Sequence, residues 1–147
     1  MESSFFSKIL VCTESSDCSG RALKKACAIA KNNNSKLYLI YVIDNPTKRL
    51  GLGIDLIDKK EYLKILREHG KSVLKKSKKI SLDLGITPHE ILKEGNVSKE
   101  ILNFEKKEKI DLVAIGSRGF SKLPRFVLGS LSNKIINQCP CPVLVVK

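Results

Sequence analysis

The residues of this 147-residue chain whose types and spacing best suit chemistry are Gly116 and Gly119, followed after nine residues (120–128) by Gly129-Ser130. Glycines at Gly116 and Gly119 allow φ > 0 and let backbone N–H groups approach an oxyanion with no Cβ in the way. Gly129 does the same where a closing helix begins, and a helix N-terminus presents unpaired N–H donors and the positive end of its dipole. Ser130 and Ser132 add hydroxyl donors. A hydrogen bond to a charged group contributes roughly 1.5–3 kcal/mol, so four or five of them hold a triphosphate without any one lysine being decisive. The local charge agrees: after Asp111 the chain has no acidic residue, whereas Arg118, Lys122, Arg125, Lys134 and Lys147 all follow it.

Other nucleotide and metal signatures fail on inspection. Gly70-Lys71-Ser72 looks like the end of a Walker A loop, but Ile65 stands where the first glycine is needed and the segment lies in a helical pattern. Gly51-Leu52-Gly53 has Leu56 at the third glycine of a dinucleotide fingerprint and follows the wrong strand. His69 and His89 have no ligand-type partner three or four residues away, so no metal site is expected at either. The five cysteines are odd in number and lack paired CxxC spacing. Cys12 and Cys27 read as small core hydrophobes, and Cys139-Pro140-Cys141 is redox-sensitive only if exposed.

The elements that must position the glycine loop follow from hydrophobic periodicity. Residues 6–13 form a short apolar strand, and Ser15-Ser16-Asp17 caps a helix carrying Ala22, Leu23, Ala26, Cys27, Ile29 and Ala30 until Asn32-Asn33-Asn34 stops it. The continuous apolar run 36–43 is a buried parallel strand. A loop with Asn45-Pro46, Gly51 and Gly53 leads to a long helix with Tyr62, Leu66, His69, Val73 and Ile80 on one face. A third strand at 88–92, a helix at 97–109, a fourth strand at 111–115, a helix starting near Ser130 and a fifth strand at 143–146 complete the chain. Five strands alternating with four helices predict a doubly wound α/β sandwich, a parallel sheet with right-handed crossovers and helices on both faces.

Length bounds the answer to one domain over residues 1–147, and such a domain buries roughly 70% of its unfolded surface. The composition, 42% hydrophobic and 29% charged, is that of a globular protein, and no stretch approaches the roughly 20 apolar residues of a membrane span. Residues 1–12 hold one basic residue, Lys8, and run into a strand, so no signal peptide is read and a cytoplasmic address is expected. A net charge of +12 suits polyanions in general. The lysine run 71–79 reads as a solvated helix face.

The full glycine spacing after a strand and before a helix resembles the universal stress protein family. The resemblance extends through Lys8-Ile9-Leu10-Val11, Ser19-Gly20-Arg21-Ala22-Leu23, Leu39-Ile40-Tyr41-Val42-Ile43, Glu94-Gly95-Asn96-Val97 and Cys141-Pro142-Val143-Leu144-Val145-Val146. It implies a Rossmann-like sandwich of the adenine nucleotide alpha hydrolase type, with strand order 3-2-1-4-5. It further implies ATP as ligand, with Mg²⁺ as an accompanying ion. The glycine pattern would hold phosphates and ribose, main-chain groups at Val42 would read adenine, and Glu14 would take the place of the acidic residue that contacts adenosine. The implied binding set is Thr13, Glu14, Val42, Gly116, Ser117, Arg118, Gly119, Gly129, Ser130, Leu131 and Ser132. Two departures stand out: the family's Asp-Gly-Ser is Glu14-Ser15-Ser16 here, and its proline after Gly-x is Val97.

Three function classes follow. A nucleotide-binding stress-response regulator, homodimeric through an apolar edge strand at Val143, Leu144, Val145 and Val146, is the leading one. A slow ATP-hydrolysing enzyme would need Glu14 or Asp17 to orient water or hold a metal, and Ser130 to ligate Mg²⁺. A nucleic-acid module is disfavoured because the chain has no Trp and most of its few Tyr and Phe fall in apolar strand or helix patterns. A dimeric interaction protein without ligand is the alternative if the Glu14 loop closes the site.

Overall fold

The structure is a computed structural model, and it describes residues 5–44, 59–119 and 127–147. The loop expected after residue 44, with Gly51 and Gly53, and most of the stretch between Gly119 and Gly129 lie outside the described residues. The elements run β1 (Lys8–Cys12), α1 (Asp17–Asn33), β2 (Lys36–Ile43), α2 (Lys59–Asp83), β3 (His89–Glu94), α3 (Val97–Glu108), β4 (Leu112–Gly116), α4 (Ser130–Gln138) and β5 (Val143–Val146). All four strand pairings are parallel and the sheet order is β3-β2-β1-β4-β5, as expected. Strand limits shift by one or two residues from periodicity, because ladder partners rather than apolar runs end a strand. β3, for example, continues to Glu94 because Ile43 is there to pair with it.

Alternation along the strands splits the core into two layers. Ile9, Val11, Leu37, Leu39, Leu112 and Ala114 pack with α1 and α2 through Leu23, Ala26, Cys27, Ala30 and Leu74. Leu10, Cys12, Ile40, Val113 and Ile115 face α3 and α4 through Ile101, Phe104 and Ile135. With both faces covered, the central strands have no polar side, which is why residues 36–43 read as a continuous apolar run.

Caps terminate the helices where short-range chemistry indicates. Ser16 is the N-cap of α1 and its side chain accepts from the Ser19 N–H, while Asn34 closes the helix in the left-handed region at φ 52°. Lys109 does the same for α3 at φ 54°. Gly70 lies inside α2, confirming that Gly70-Lys71-Ser72 is no phosphate loop. A Cβ there would stand 2.8 Å from Tyr41 Cδ1 and 2.9 Å from Leu92 Cδ1, so the glycine lets α2 seat on β2 and β3. The buried face of α2 is Gly70, Val73, Leu74, Ser77 and Ser81; His69 lies outside it, exposed and edge-on to the Tyr41 ring. The lysine run is solvated as expected, with Lys78 paired to Glu90 at 3.4 Å.

α4 has nine residues, too few to persist alone in water. It is held by Ile135, which is fully buried, and truncation of such a residue to Ala costs about 2–5 kcal/mol. Arg21 of α1 donates through Nε to the Lys147 carbonyl at 2.7 Å, tying the end of β5 to the first helix. Among the described residues no helix is long and apolar enough to cross a membrane.

Candidate functional site

The connection from β1 turns to one side of the sheet and β4 lies on the other, so the loops after β1 and β4 diverge from neighbouring strand ends. Ligands of open parallel sheets bind at such a switch point. Here the two loops enclose a cavity of about 230 Å³ lined by Glu14, Gly116, Arg118, Gly119, Gly129 and Ser130, among others. A second hollow of about 250 Å³, lined by Glu14, Asp44, Asn96, Val97, Ser98, Ser130, Leu131 and Lys134, shares Glu14, Ser130 and Leu131 with the first. The cleft therefore runs from the glycine loop, past the end of β1, to the end of β2 and the start of α3. Its combined size falls in the range of small-molecule sites, about 300–1,000 Å³.

The start of α4 opens into both hollows. Its N-cap, Gly129, is extended (φ −64°, ψ 158°) and no side chain caps the helix, whereas Ser16 caps α1 and Asn96 caps α3. The first-turn N–H groups of α4 thus have neither an intrahelical acceptor nor a side-chain cap, and the first turn carries no acid. An anion in the cleft would meet these donors and the positive end of the helix dipole.

The glycines serve close approach and not, as expected from sequence, positive φ. Gly85 and Gly95 are the described glycines in the left-handed region, while Gly116, Gly119 and Gly129 are not. A Cβ on Gly116 would lie 2.8 Å from both Cys18 C and Ser19 N, so this residue lets β4 end directly against the backbone of α1. A Cβ on Gly129 would come within 3.3 Å of the Ser117 carbonyl oxygen, and one on Gly119 within 3.2 Å of Glu14 Oε2.

The two ends of the glycine loop are tied together. The Gly129 N–H donates to the Ser117 carbonyl at 2.7 Å, and Ser117 N–H donates to the Val146 carbonyl at 2.8 Å. Ser132 is buried, and its hydroxyl has two acceptors, the Ser117 carbonyl at 3.0 Å and the Gly129 carbonyl at 2.9 Å. The expectation that Ser132 offers a hydroxyl to a ligand is therefore corrected: that proton holds the loop shut, because a buried carbonyl needs a donor. Ser130 is exposed at the cleft. Thr13 is likewise engaged, with its N–H and hydroxyl donating to the Ile40 carbonyl at 2.9 and 2.8 Å.

Glu14 is half-buried at the junction of the two hollows. Its N–H donates to Ser19 Oγ at 2.9 Å, and Ser16 Oγ donates to its Oε1 at 3.1 Å. Burial pushes the Glu14 carboxyl above the usual range, partly offset by the Ser16 hydroxyl. Ser15, which replaces the family's glycine, is not in the left-handed region, so the loop accepts a side chain there without strain.

Val42 lines neither hollow, but its main chain faces the cleft side of β2. The Ile40 carbonyl accepts from Thr13 on the β1 side, and the Ile43 carbonyl accepts from Gly95 on the β3 side. Alternation then directs the Val42 N–H and C=O towards β1, which has already ended, its last ladder partner on β2 being Ile40. Arg118 also lines a third hollow, of about 270 Å³, with Ser15, Ser16, Asp17, Cys18, Arg21 and Gly119. Four walls lie outside the implied binding set: Asp44, Asn96, Ser98 and Lys134. Gly95-Asn96-Val97 was legible only as a helix start, and Lys134 lies one turn along α4 from Ser130, a spacing that does point to the same helix face.

The universal stress protein family profile matches residues 5–147. Universal stress protein MJ0531 of Methanocaldococcus jannaschii is 38% identical over 144 residues, covering 97% of this chain and 82% of that protein. The solved structure of hypothetical protein MJ0577 superposes with a TM-score of 0.82 at 29% identity, over 97% of this chain and 96% of its own. Two further structures share the fold. One is a universal stress protein in complex with cAMP, with TM-score 0.73, 23% identity and coverage of 98% and 99%. The other is the Archaeoglobus fulgidus universal stress protein in complex with dAMP, with TM-score 0.69, 20% identity and coverage of 97% and 99%. Strand order, the placement of the glycine loop and these matches agree, and the chain belongs to the universal stress protein family.

Proposed function

We propose that this protein binds an adenine nucleotide, ATP by preference, in the cleft between the β1 and β4 loops, and acts as a homodimeric nucleotide-dependent regulator. The observation that carries the reading is the uncapped start of α4 opening into a cavity at the switch point of the sheet. Phosphates would take the N–H groups of Ser130, Leu131 and Ser132 and of the Gly116–Gly119 turn, with Arg118 and the Ser130 hydroxyl beside them. The base would lie towards β2, where the Val42 main chain offers a donor and an acceptor, and Glu14 stands between for the ribose hydroxyls. Glu14 and the Ser130 hydroxyl are the groups available to a Mg²⁺ ion accompanying the phosphates. That related structures were solved with cAMP and dAMP supports the adenine assignment.

β5 is an edge strand with four half-buried apolar residues, Val143 to Val146, and is the surface through which two copies would pair. Since Ser117 N–H bonds the Val146 carbonyl, the glycine loop and this edge are mechanically joined, a route by which nucleotide occupancy could reach a dimer partner.

The test is to purify the protein without added ligand, denature it, identify any released nucleotide, and then titrate ATP into the wild type and into Gly129→Val by calorimetry. One equivalent of ATP bound by the wild type, and at least tenfold weaker binding by the variant, is the expected result. No released nucleotide and no ATP binding by a folded wild type would sink the proposal and favour a dimeric interaction protein without ligand.

A further inference from the structure

Away from the nucleotide cleft, α3 breaks its own apolar pattern. Its buried positions are Ile101, Phe104 and Glu105, so a carboxylate takes the place one residue along from Phe104 on the face that packs against the sheet. Glu105 is only 5% exposed. A buried carboxylate is costly unless a partner neutralises it, and the lysine next to it, Lys106, is exposed.

What faces Glu105 is a pair of thiols from the connection between α4 and β5. Cys139 is the C-cap of α4, Cys141 precedes β5 by two residues, and both thiols are free and half-buried. Their sulfurs stand 3.4 Å apart, and a Glu105 carboxylate oxygen, Cys139 Sγ and Cys141 Sγ all lie within 4.8 Å of one another. Pro140 and Pro142 follow the two cysteines and fix the backbone φ after each, so the thiols are held in place by a stiff Cys-Pro-Cys-Pro segment.

We propose that Cys139, Cys141 and Glu105 form a binding site for Zn²⁺ or a similar thiophilic divalent ion. Two sulfurs bound at about 2.3 Å to a tetrahedral centre stand about 3.8 Å apart, so the observed pair opens by only a few tenths of an ångström to accept the ion. Two thiolates and a carboxylate favour zinc over magnesium or calcium, and three protein ligands leave one position for water or an outside ligand. Binding replaces the thiol protons with the metal: two S–H bonds break, two S–Zn bonds form, and the protons leave to solvent. The ion would also add a full positive charge at Glu105, whose carboxyl otherwise has a hydrogen bond from Cys141 and the charge of Lys106 to offset its burial. Burial and the neighbouring Cys139 push the Cys141 thiol up to about 12, so without metal that thiol keeps its proton until an ion displaces it. Such a site would clamp α3 to the start of the edge strand, at the end of the sheet opposite the nucleotide cleft.

The experiment uses the full chain, reduced with a phosphine and stripped of metal by a chelator, titrated with Co²⁺ and then with Zn²⁺. The expected result is one equivalent of Co²⁺ bound with a thiolate-to-cobalt charge-transfer band that Zn²⁺ abolishes. Cys139→Ser and Cys141→Ser should each weaken binding at least tenfold, as should Glu105→Gln, while a Cys12/Cys18/Cys27 triple serine variant keeps the band. A wild-type measurement guards against variants that fail to fold: Zn²⁺ should slow alkylation of Cys139 and Cys141 at least tenfold, read by peptide mass spectrometry. Absence of the band, a band that survives loss of either cysteine in a folded variant, Co²⁺ affinity unchanged in Glu105→Gln, or unprotected thiols would each overturn the three-ligand site.

Discussion

Gly116→Ala, set against Gly119→Ala, tests how the glycine loop is built. The added methyl at Gly116 would meet Cys18 C and Ser19 N at 2.8 Å and Cys18 Cβ at 2.9 Å. Two of these three atoms are backbone in the first turn of a helix, so neither can rotate aside and α1 must move away from β4. Overpacking of this kind costs typically about 1–3 kcal/mol, and rigid neighbours place Gly116 at the upper end. Unfolding entropy near 2.1 cal/mol/K per residue gives roughly 0.3 kcal/mol/K for a chain of 147 residues, so a loss of about 3 kcal/mol lowers Tm by about 10 °C. At Gly119 the same methyl meets only the Glu14 carboxyl, Oε2 at 3.2 Å, the far end of a side chain that one hydrogen bond from Ser16 holds and that can shift by a few tenths of an ångström. Its expected cost is within about 0.5 kcal/mol, or 1–2 °C. Thermal unfolding followed by far-UV circular dichroism separates the two variants, and an ATP titration of each shows whether the displaced α1 also weakens the cleft. A Gly116→Ala midpoint within about 2 °C of wild type would refute the close backbone contact between β4 and α1 on which the site geometry rests.

Other substitutions probe the remaining parts. Ser132→Ala leaves the Ser117 and Gly129 carbonyls without that hydroxyl and should cost about 1 kcal/mol, lowering Tm by about 3 °C while weakening ATP binding through a looser loop. Because burial raises the Glu14 carboxyl in the folded state, its neutral form contributes stability at low pH that is lost as pH rises through the folded value. The wild type should therefore lose stability relative to Glu14→Gln between pH 4 and pH 7, measured as paired urea midpoints; a constant difference would count against a desolvated carboxylate. Lys109→Gly relieves a left-handed residue at φ 54° that has no side-chain reason to be there, and should raise stability by about 0.5–1 kcal/mol in the same urea assay.

The alternation of strands and helices was legible in the sequence because apolar periodicity is a local property, and so were the start of α1 at Ser16 and its stop at Asn34, which depend on neighbouring side chains alone. The glycine loop was legible as a phosphate-type pattern because helix starts and glycine spacing are also local. What sequence could not supply was the reason for each glycine: Gly116 and Gly129 answer to backbone brought close by the tertiary fold, and their φ values are ordinary. Nor could it show that the Ser132 and Thr13 hydroxyls are already engaged by carbonyls 15 and 27 residues away along the chain. Glu105 makes the same point most sharply. In sequence it is one acid among lysines at the end of a helix; only the packing of α3 against the α4–β5 connection buries it and sets it beside two thiols. Local chemistry determined the elements and the loop, and tertiary proximity, which no short-range pattern encodes, decided which polar groups remain available for a ligand.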